Sequence, residues 1–284
     1  MKGSATLLII APDQRGLVAA VADFLYDHGA NILHADQHID AAENLFFMRV
    51  EWDMTGFDLT ADTFEEVFSG LAEKLRLSWR LEVSSRRPRV AIMVSQQDHC
   101  LADLLYRHRS GELQCDIPLI ISNHDTCRAL ATFNDIPYFN TPIASDNKAA
   151  VEKQQLELLA SHRIDTVVLA RYMQILSGEF ISHFPEQIIN IHHSFLPAFT
   201  GARPYHRAFD RGVKLIGATS HYVTEALDDG PIIEQDVVRV SHRNQVSDLV
   251  EKGRDLERLV LSRALRWHID HRVLTYGNKT VVFD

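Results

Sequence analysis

The sequence predicts an α/β protein in two units, a short βαββαβ segment followed by a doubly wound, mostly parallel sheet. Two observations carry this. Up to Ser84, apolar runs and amphipathic stretches succeed one another as strand, helix, strand, strand, helix, strand. From Val90 onward, strands alternate with helices, which implies parallel pairing. Between them lies "SSRRPR", Ser84 to Arg89, short, charged and proline-containing as linkers are. A chain of 284 residues suits one large domain or two ordinary ones. The expected division is a first domain over 1–84, a linker over 85–89 and a second domain over 90–284.

In the first unit, "TLLIIAP" is a short apolar run suited to a buried strand. "GLVAAVADFLYDHG" has helical spacing and stops at Gly29. "ANILHADQHID" and "LFFMRVEW" are strand-like and separated by "AAEN", which suits a hairpin. "TADTFEEVFSGLAEKLRL" is amphipathic with Thr60 placed as its N-cap, and "SWRLEVS" closes the set. That order is the ferredoxin-like pattern. In the second unit the strands are "RVAIMVS", "IPLIIS", "IPYFN", "DTVVLA" and "QIINIH". The helices between them are "CLADLLYRHRSG", "DTCRALATF" and "NKAAVEKQQLELLASH". "KLIGATSHYVT" and "PIIEQDVVRV" flank "EALDDG" as a pair, Asn244 to about Val273 reads as a long helix, and "KTVVFD" as a terminal strand.

Bulk properties narrow the function. Hydrophobic residues make up 46% and charged residues 24%, as in soluble globular proteins. The net charge of -9, with no basic block beyond "RRPR", argues against a nucleic-acid partner. The N-terminal apolar run is quickly interrupted by Pro12 and Asp13, which argues against a membrane span or signal peptide. Cys100, Cys115 and Cys127 form no CxxC pair, which fits small buried residues in a reducing cytoplasm.

The stretch most suggestive of chemistry is "NIHHSFLPAF", Asn190 to Phe199. Side chains alternate along a strand, so Asn190 and His192 share a face at the end of "QIINIH". His193 points away from His192 unless the strand has already ended. Adjacent histidines are poor partners for one metal ion, and there is no HExxH and no Cys/His cluster, so no metal is expected. An amide can donate to a developing oxyanion, contributing roughly 3 kcal/mol in the transition state. An imidazole can move a proton near neutral pH. "LDDG" supplies the carboxylates Asp228 and Asp229. Open α/β sheets place such groups beyond the carboxyl ends of their strands.

"NIHHSFLP" followed by "GATSHYVTEALDDGPII" resembles the catalytic domain of the formyltransferase family, over about Arg89 to Asp284. The resemblance implies Asn190, His192 and Asp228 as a catalytic trio, with His221 as a supporting histidine. "ARYMQILS" resembles the family's folate-lining segment, which implies Met173, Gln174, Ile175 and Leu176 at the pterin. His193 and Asp229 depart from the family pattern and carry no assigned role. The family takes a formyl group from 10-formyltetrahydrofolate, as substrate and with no cofactor implied. Members that act on a ribonucleotide hold its phosphate with a Gly-rich turn after the first strand. Here that strand runs into "QQDHCLADLL", without glycine and with Asp98, which argues against a phosphorylated acceptor.

Water is then the simplest nucleophile, and the whole chain resembles the hydrolase branch, the formyltetrahydrofolate deformylases. The implied reaction gives formate and tetrahydrofolate for one-carbon and purine metabolism. Whether His192 or Asp228 takes the first proton stays open at this level. The rival readings are a formyltransferase with a non-phosphorylated or tRNA acceptor and a non-catalytic folate or amino-acid sensor. The leading unit resembles an ACT domain, which implies a homo-oligomer and an amino-acid effector such as glycine or methionine. Its candidate contacts are Asp13 and Gly16 in "APDQRG", with Asn31 and Ile32 in "HGANI", taken to lie near one another.

Overall fold

A computed structural model of the chain describes residues 3–197 and 204–283. Ala198 and Phe199, the tail of the "NIHHSFLPAF" stretch, lie outside them. The chain divides into two compact units. The first comprises Met1–Arg87 with His271–Leu274 and Val281–Asp284; the second comprises Pro88–Asp270 with Thr275–Thr280.

The first unit follows the predicted order, with β1 (Ser4–Pro12), α1 (Leu17–Asp27), β2 (Asn31–Asp40), β3 (Leu45–Asp53), α2 (Ala61–Leu75) and β4 (Ser78–Val83). Its sheet has the order β2-β3-β1-β4 and is antiparallel throughout. Alternation decides which face is covered. Ala5, Leu7, Ile9 and Ala11 of β1 and Phe46, Met48, Val50 and Trp52 of β3 pack with Leu17, Val21 and Leu25 of α1 and Phe64 and Phe68 of α2. Thr60 caps α2 as expected. Its hydroxyl accepts from Thr63 N–H at 3.3 Å, and Thr63 Oγ1 accepts from Thr60 N–H at 2.9 Å.

The second unit runs β5 (Arg89–Val94), α3 (His99–Ser110), β6 (Asp116–Ser122), α4 (Arg128–Phe133), β7 (Tyr138–Asn140), α5 (Lys148–Ser161), β8 (Thr166–Leu169), α6 (Gly178–Ser182), β9 (Ile188–His192), α7 (Pro204–Arg211), β10 (Leu215–Tyr222), β11 (Ile232–Arg239) and α8 (Val246–Ile269). The seven-stranded sheet has the order β11-β10-β9-β8-β5-β6-β7. The five strands from β9 to β7 are parallel; β10 adds antiparallel to β9, and β11 antiparallel to β10. Val90 to Val94 and Val167 to Val168 are fully buried, as strands covered on both faces must be. From β5 the chain winds to β6 and β7 on one side and to β8 and β9 on the other. The strand order therefore reverses between β5 and β8, and a crevice opens at their carboxyl ends.

Several details differ from the sequence reading. Arg89, expected to end the linker, is the first residue of β5. Its N–H donates to Asp165 and its Nε to the His162 carbonyl, both at 2.8 Å. The long helix ends at Ile269, because the backbone turns left-handed at His271 (φ 52°) without a glycine to announce it. The expected closing strand is present as β13 (Lys279–Val282), but it pairs in a hairpin with a strand not expected, β12 (Val273–Tyr276). Residues His271–Leu274 and Val281–Asp284 group with the first unit. Arg49 Nε on β3 donates to the His271 carbonyl at 3.0 Å, which adds a polar tie within that unit. The short helices α6 and α7 carry no periodicity long enough to read.

Candidate active site

The trio is assembled by β9, by β10 and by the loop after β10. Asn190 and His221 are register partners across the antiparallel β9/β10 pair, and His192 ends β9 opposite Thr219. The pairing of β10 with β11 shifts register between Ser220 and His221, a bulge that re-aims a side chain beside a strand end. Asp228 then enters from the β10–β11 loop in the left-handed region (φ 55°), which an Asp tolerates better than most residues.

Protonation follows from the contacts. Burial pushes the His221 imidazole below its ordinary pKa, against the opposing pull of the Tyr222 carbonyl and Asp228. A neutral His221 that gives Nδ1–H to the Tyr222 carbonyl at 2.9 Å has a bare Nε2, which accepts from the Asn190 amide at 3.2 Å. Burial works against ionisation of Asp228. The hydrogen bond from His192, with the electrostatic pull of the His192 and His221 rings, outweighs it and holds the carboxyl below its ordinary value. Asp228 is therefore a carboxylate that accepts His192 Nδ1–H at 3.2 Å. His192 Nε2 is buried and has no partner among the described residues. It is the one ring nitrogen of the pair left to meet a ligand.

These groups border a cavity of about 470 Å³. Met173, Gln174, Ile175 and Leu176 line it, so the structure brings together all four expected folate-segment residues and the trio. The segment is held from behind. Met173 N–H donates to Ser95 Oγ at 3.0 Å, Ser177 N–H donates to Glu152 at 3.1 Å, and Gln155 Nε2 donates to Tyr172 Oη at 3.0 Å. Met173 is 59% and Ile175 60% exposed, so neither belongs to a plain core. With Leu227 they form an apolar wall that a flat ring could cover.

His193 meets the condition under which it need not point away from His192. The strand ends at His192, so the two rings stack with centroids 5.0 Å apart instead of pointing to opposite faces. Burial, with Arg171 and His192 nearby, pushes His193 down to about 3, so it stays neutral.

The sequence reading also missed a polar cluster lining the same cavity: Gln97, Arg171, Tyr205 and Glu257. Glu257 Oε2 takes His99 Nε2 at 2.8 Å and Arg171 Nε at 3.4 Å, and Oε1 takes the Tyr205 hydroxyl at 2.6 Å. Burial would raise the Glu257 pKa, but these three partners outweigh it and keep the carboxyl ionised. His99, Cys100 and Glu257 come within metal-ligand distance of one another. Glu257 is already engaged by Arg171 and His99, so the set reads as an ion-pair network. A signal for it existed. On α8, Gly253, Leu256, Glu257, Val260, Leu261, Ala264 and Leu265 form one buried helical stripe in which Glu257 is the charged member. Asp98 stands at the start of α3, where a phosphate would need bare N–H groups.

The effector candidates do not converge. In the register of the first sheet, Ser4 and Asn31 both pair with Asp53, while Pro12 and Asp40 both pair with Leu45. Asp13 and Gly16 follow Pro12 at one end of the sheet, and Asn31 and Ile32 begin β2 at the other. A strand of this length separates them by roughly 25–30 Å. The expectation that they adjoin fails within one chain, because the intervening helix returns the chain to the far end of the sheet.

A formyl transferase family model matches residues 88–265, and an ACT domain model matches residues 5–76. A formyltetrahydrofolate deformylase of Synechocystis sp. is 56% identical over 280 residues, covering 99% of this chain and 98% of its own. The chain belongs to the formyltetrahydrofolate deformylase family. A Bacillus subtilis deformylase is 50% identical, over 98% of this chain and 93% of its own. The solved structure of a Pseudomonas syringae deformylase superposes with a TM-score of 0.97 at 49% identity, covering 100% of this chain and 95% of that one. The ACT match precedes the formyl transferase match in the same chain.

Proposed function

We propose that this chain hydrolyses 10-formyltetrahydrofolate to formate and tetrahydrofolate, with Asn190, His192 and Asp228 as the catalytic groups. The observation that carries the reading is the His192 ring. Asp228 holds its Nδ1, its Nε2 is bare, and the Asn190 amide lies on the same strand end above an apolar-walled cavity. The pterin lies against Met173, Gln174, Ile175 and Leu176. Water gives a proton to His192 Nε2 and attacks the formyl carbon. The oxyanion accepts the Asn190 N–H that His221 does not use. Asp228 balances the imidazolium charge, and His192 returns the proton to N10 as the C–N10 bond breaks. In this reading His192 is the first proton acceptor. The reaction is redox-neutral, and the reading uses no cofactor.

His221 acts through Asn190. Replacing Asn190 should cost about 10²–10³ in kcat; His221→Ala, which only frees the amide to rotate, should cost about tenfold, with KM little changed. Steady-state formate release measures both, and an unaltered kcat in His221→Ala would remove its orienting role.

The deciding experiment is incubation with 10-formyltetrahydrofolate alone. Formate release without an acceptor is the expected result. Release only when a formyl acceptor is added would make the chain a transferase, and binding without turnover would make it a sensor. The ACT unit supports regulation by an amino acid, with glycine and methionine as the candidates, and the same assay in their presence reads it. An unchanged rate with both removes that proposal. A homo-oligomer is part of the reading. Only a second chain could set the Asp13–Gly16 loop beside Asn31 and Ile32, and edge strand β2 leaves Ile32, Leu33 and Ile39 exposed. No helix among the described residues is long and apolar enough to cross a membrane. A cytoplasmic location is proposed with the folate substrate.

A further inference from the structure

We propose that Arg171 forms a subsite for a small carboxylate, and that its occupant is the formate made at the neighbouring trio. The proposal rests on the hydrolytic reading above. Arg171 follows β8 at the point where the strand order reverses. Its backbone is left-handed (φ 62°), a conformation unfavourable for a bulky residue that persists only when the surroundings impose it. The residue is 8% exposed and lines the cavity with His192 and His193. Nε is committed to Gln97 Oε1 at 3.2 Å and to Glu257 at 3.4 Å, whereas Nη1 is buried without a partner among the described residues.

The surrounding charges make that vacant donor an anion site. Glu257 neutralises one edge of the guanidinium, but the carboxylate is also drawn to His99 and held by the Tyr205 hydroxyl. It is fixed where it is and cannot swing to cover Nη1. His193, packed between His192 and Tyr205, stays neutral and offers no competing cation. A buried donor on a permanent cation is costly to leave unpaired, and a ligand oxygen satisfies it.

The reaction supplies such a ligand. The N-formyl amide and water are neutral. Breaking C–N10, with a proton delivered to N10, leaves formic acid, which has an ordinary carboxylic pKa near 4 and sheds its proton at neutral pH. The anion appears only after bond cleavage. Its oxygens suit a guanidinium, and the attraction is larger in a shielded site than in water. The subsite thus favours the formate anion over the neutral formyl group it came from.

The test uses the full-length protein and [13C]formate. Wild-type protein should broaden the formate carbon resonance, and formate should inhibit hydrolysis competitively or in mixed mode. Arg171→Met with Glu257→Gln removes both charges together and avoids leaving an unpaired buried carboxylate. It should abolish the broadening and raise the formate inhibition constant at least tenfold. Arg171→Lys, which keeps the charge but loses the fork, serves if the double variant does not fold, and should raise that constant severalfold. Broadening or inhibition unchanged in either folded variant overturns the subsite, as does a wild-type protein that hydrolyses its substrate but shows no formate binding. Failure of wild-type hydrolysis would instead overturn the parent reading, which the binding measurement leaves separate.

Discussion

Asp228→Asn should lower kcat by about 10³–10⁴ while leaving KM within a few-fold. The expectation follows from the tautomer that the carboxylate enforces. An ionised Asp228 accepts Nδ1–H and leaves Nε2 of His192 bare towards the cavity. An amide in its place can present NH2 to Nδ1, which drives the ring proton to Nε2 and removes the base. It also removes the charge that balances the imidazolium once water has given up its proton. His192→Ala should lose a comparable factor, and the double variant should lose little more than either alone, since the two act as a unit. Formate release by the purified variants measures this. Activity within tenfold of wild type in either would remove that residue from proton transfer. The carboxyl is also linked to stability. Because its folded pKa is depressed, its stabilising contribution is present above the unfolded value of about 3.9 and is lost as pH falls through the folded value. The melting difference between wild type and Asp228→Asn should therefore close in acid.

Most of the strand and helix order was legible because periodicity reports burial, and burial organises both sheets. Buried runs such as Val90–Val94 and alternating ones such as Phe46, Met48, Val50 and Trp52 read correctly for that reason. What escaped was set by backbone conformation without a residue to signal it. His271 ends α8 in a left-handed turn that glycine would have advertised, and Arg89 already lies in the ladder. At the site, the pairing of Asn190 with His192 followed from the two-residue period. The family motif pointed to His221, and strand register sets it beside Asn190; Glu257 stood out only as the charged member of a buried stripe, and its meeting with Arg171, just past β8, is a tertiary contact that no local pattern encodes. The effector residues failed for the converse reason. Asp13, Gly16, Asn31 and Ile32 are near in sequence, yet α1 carries the chain from one end of the sheet to the other.

Gly230→Ala should be the most damaging single methyl group in the second unit. A Cβ at 230 would fall on the carbonyl oxygen of Tyr222, 2.9 Å from its carbonyl carbon and 3.3 Å from Thr224 Cγ2. The obstacle is backbone at the end of β10, not the tip of a flexible side chain, and Tyr222 N–H is already tied to the Pro231 carbonyl at 2.9 Å. Relief requires the loop or the strand end to move, at a cost of about 1–3 kcal/mol. Either movement reaches the chemistry. The Tyr222 carbonyl receives His221 Nδ1–H, so displacing it frees the ring that holds Asn190. Moving the loop instead carries Asp228 away from His192. The expected result is a melting temperature lowered by several degrees together with a loss of about 10² or more in kcat, since misplacement near 1 Å has that effect on a reacting geometry. Thermal unfolding and formate release on the same preparation separate the two effects. A variant that melts lower but turns over normally would mean that the loop is a scaffold only. A variant unaltered in both would mean that the Tyr222 carbonyl is free to yield.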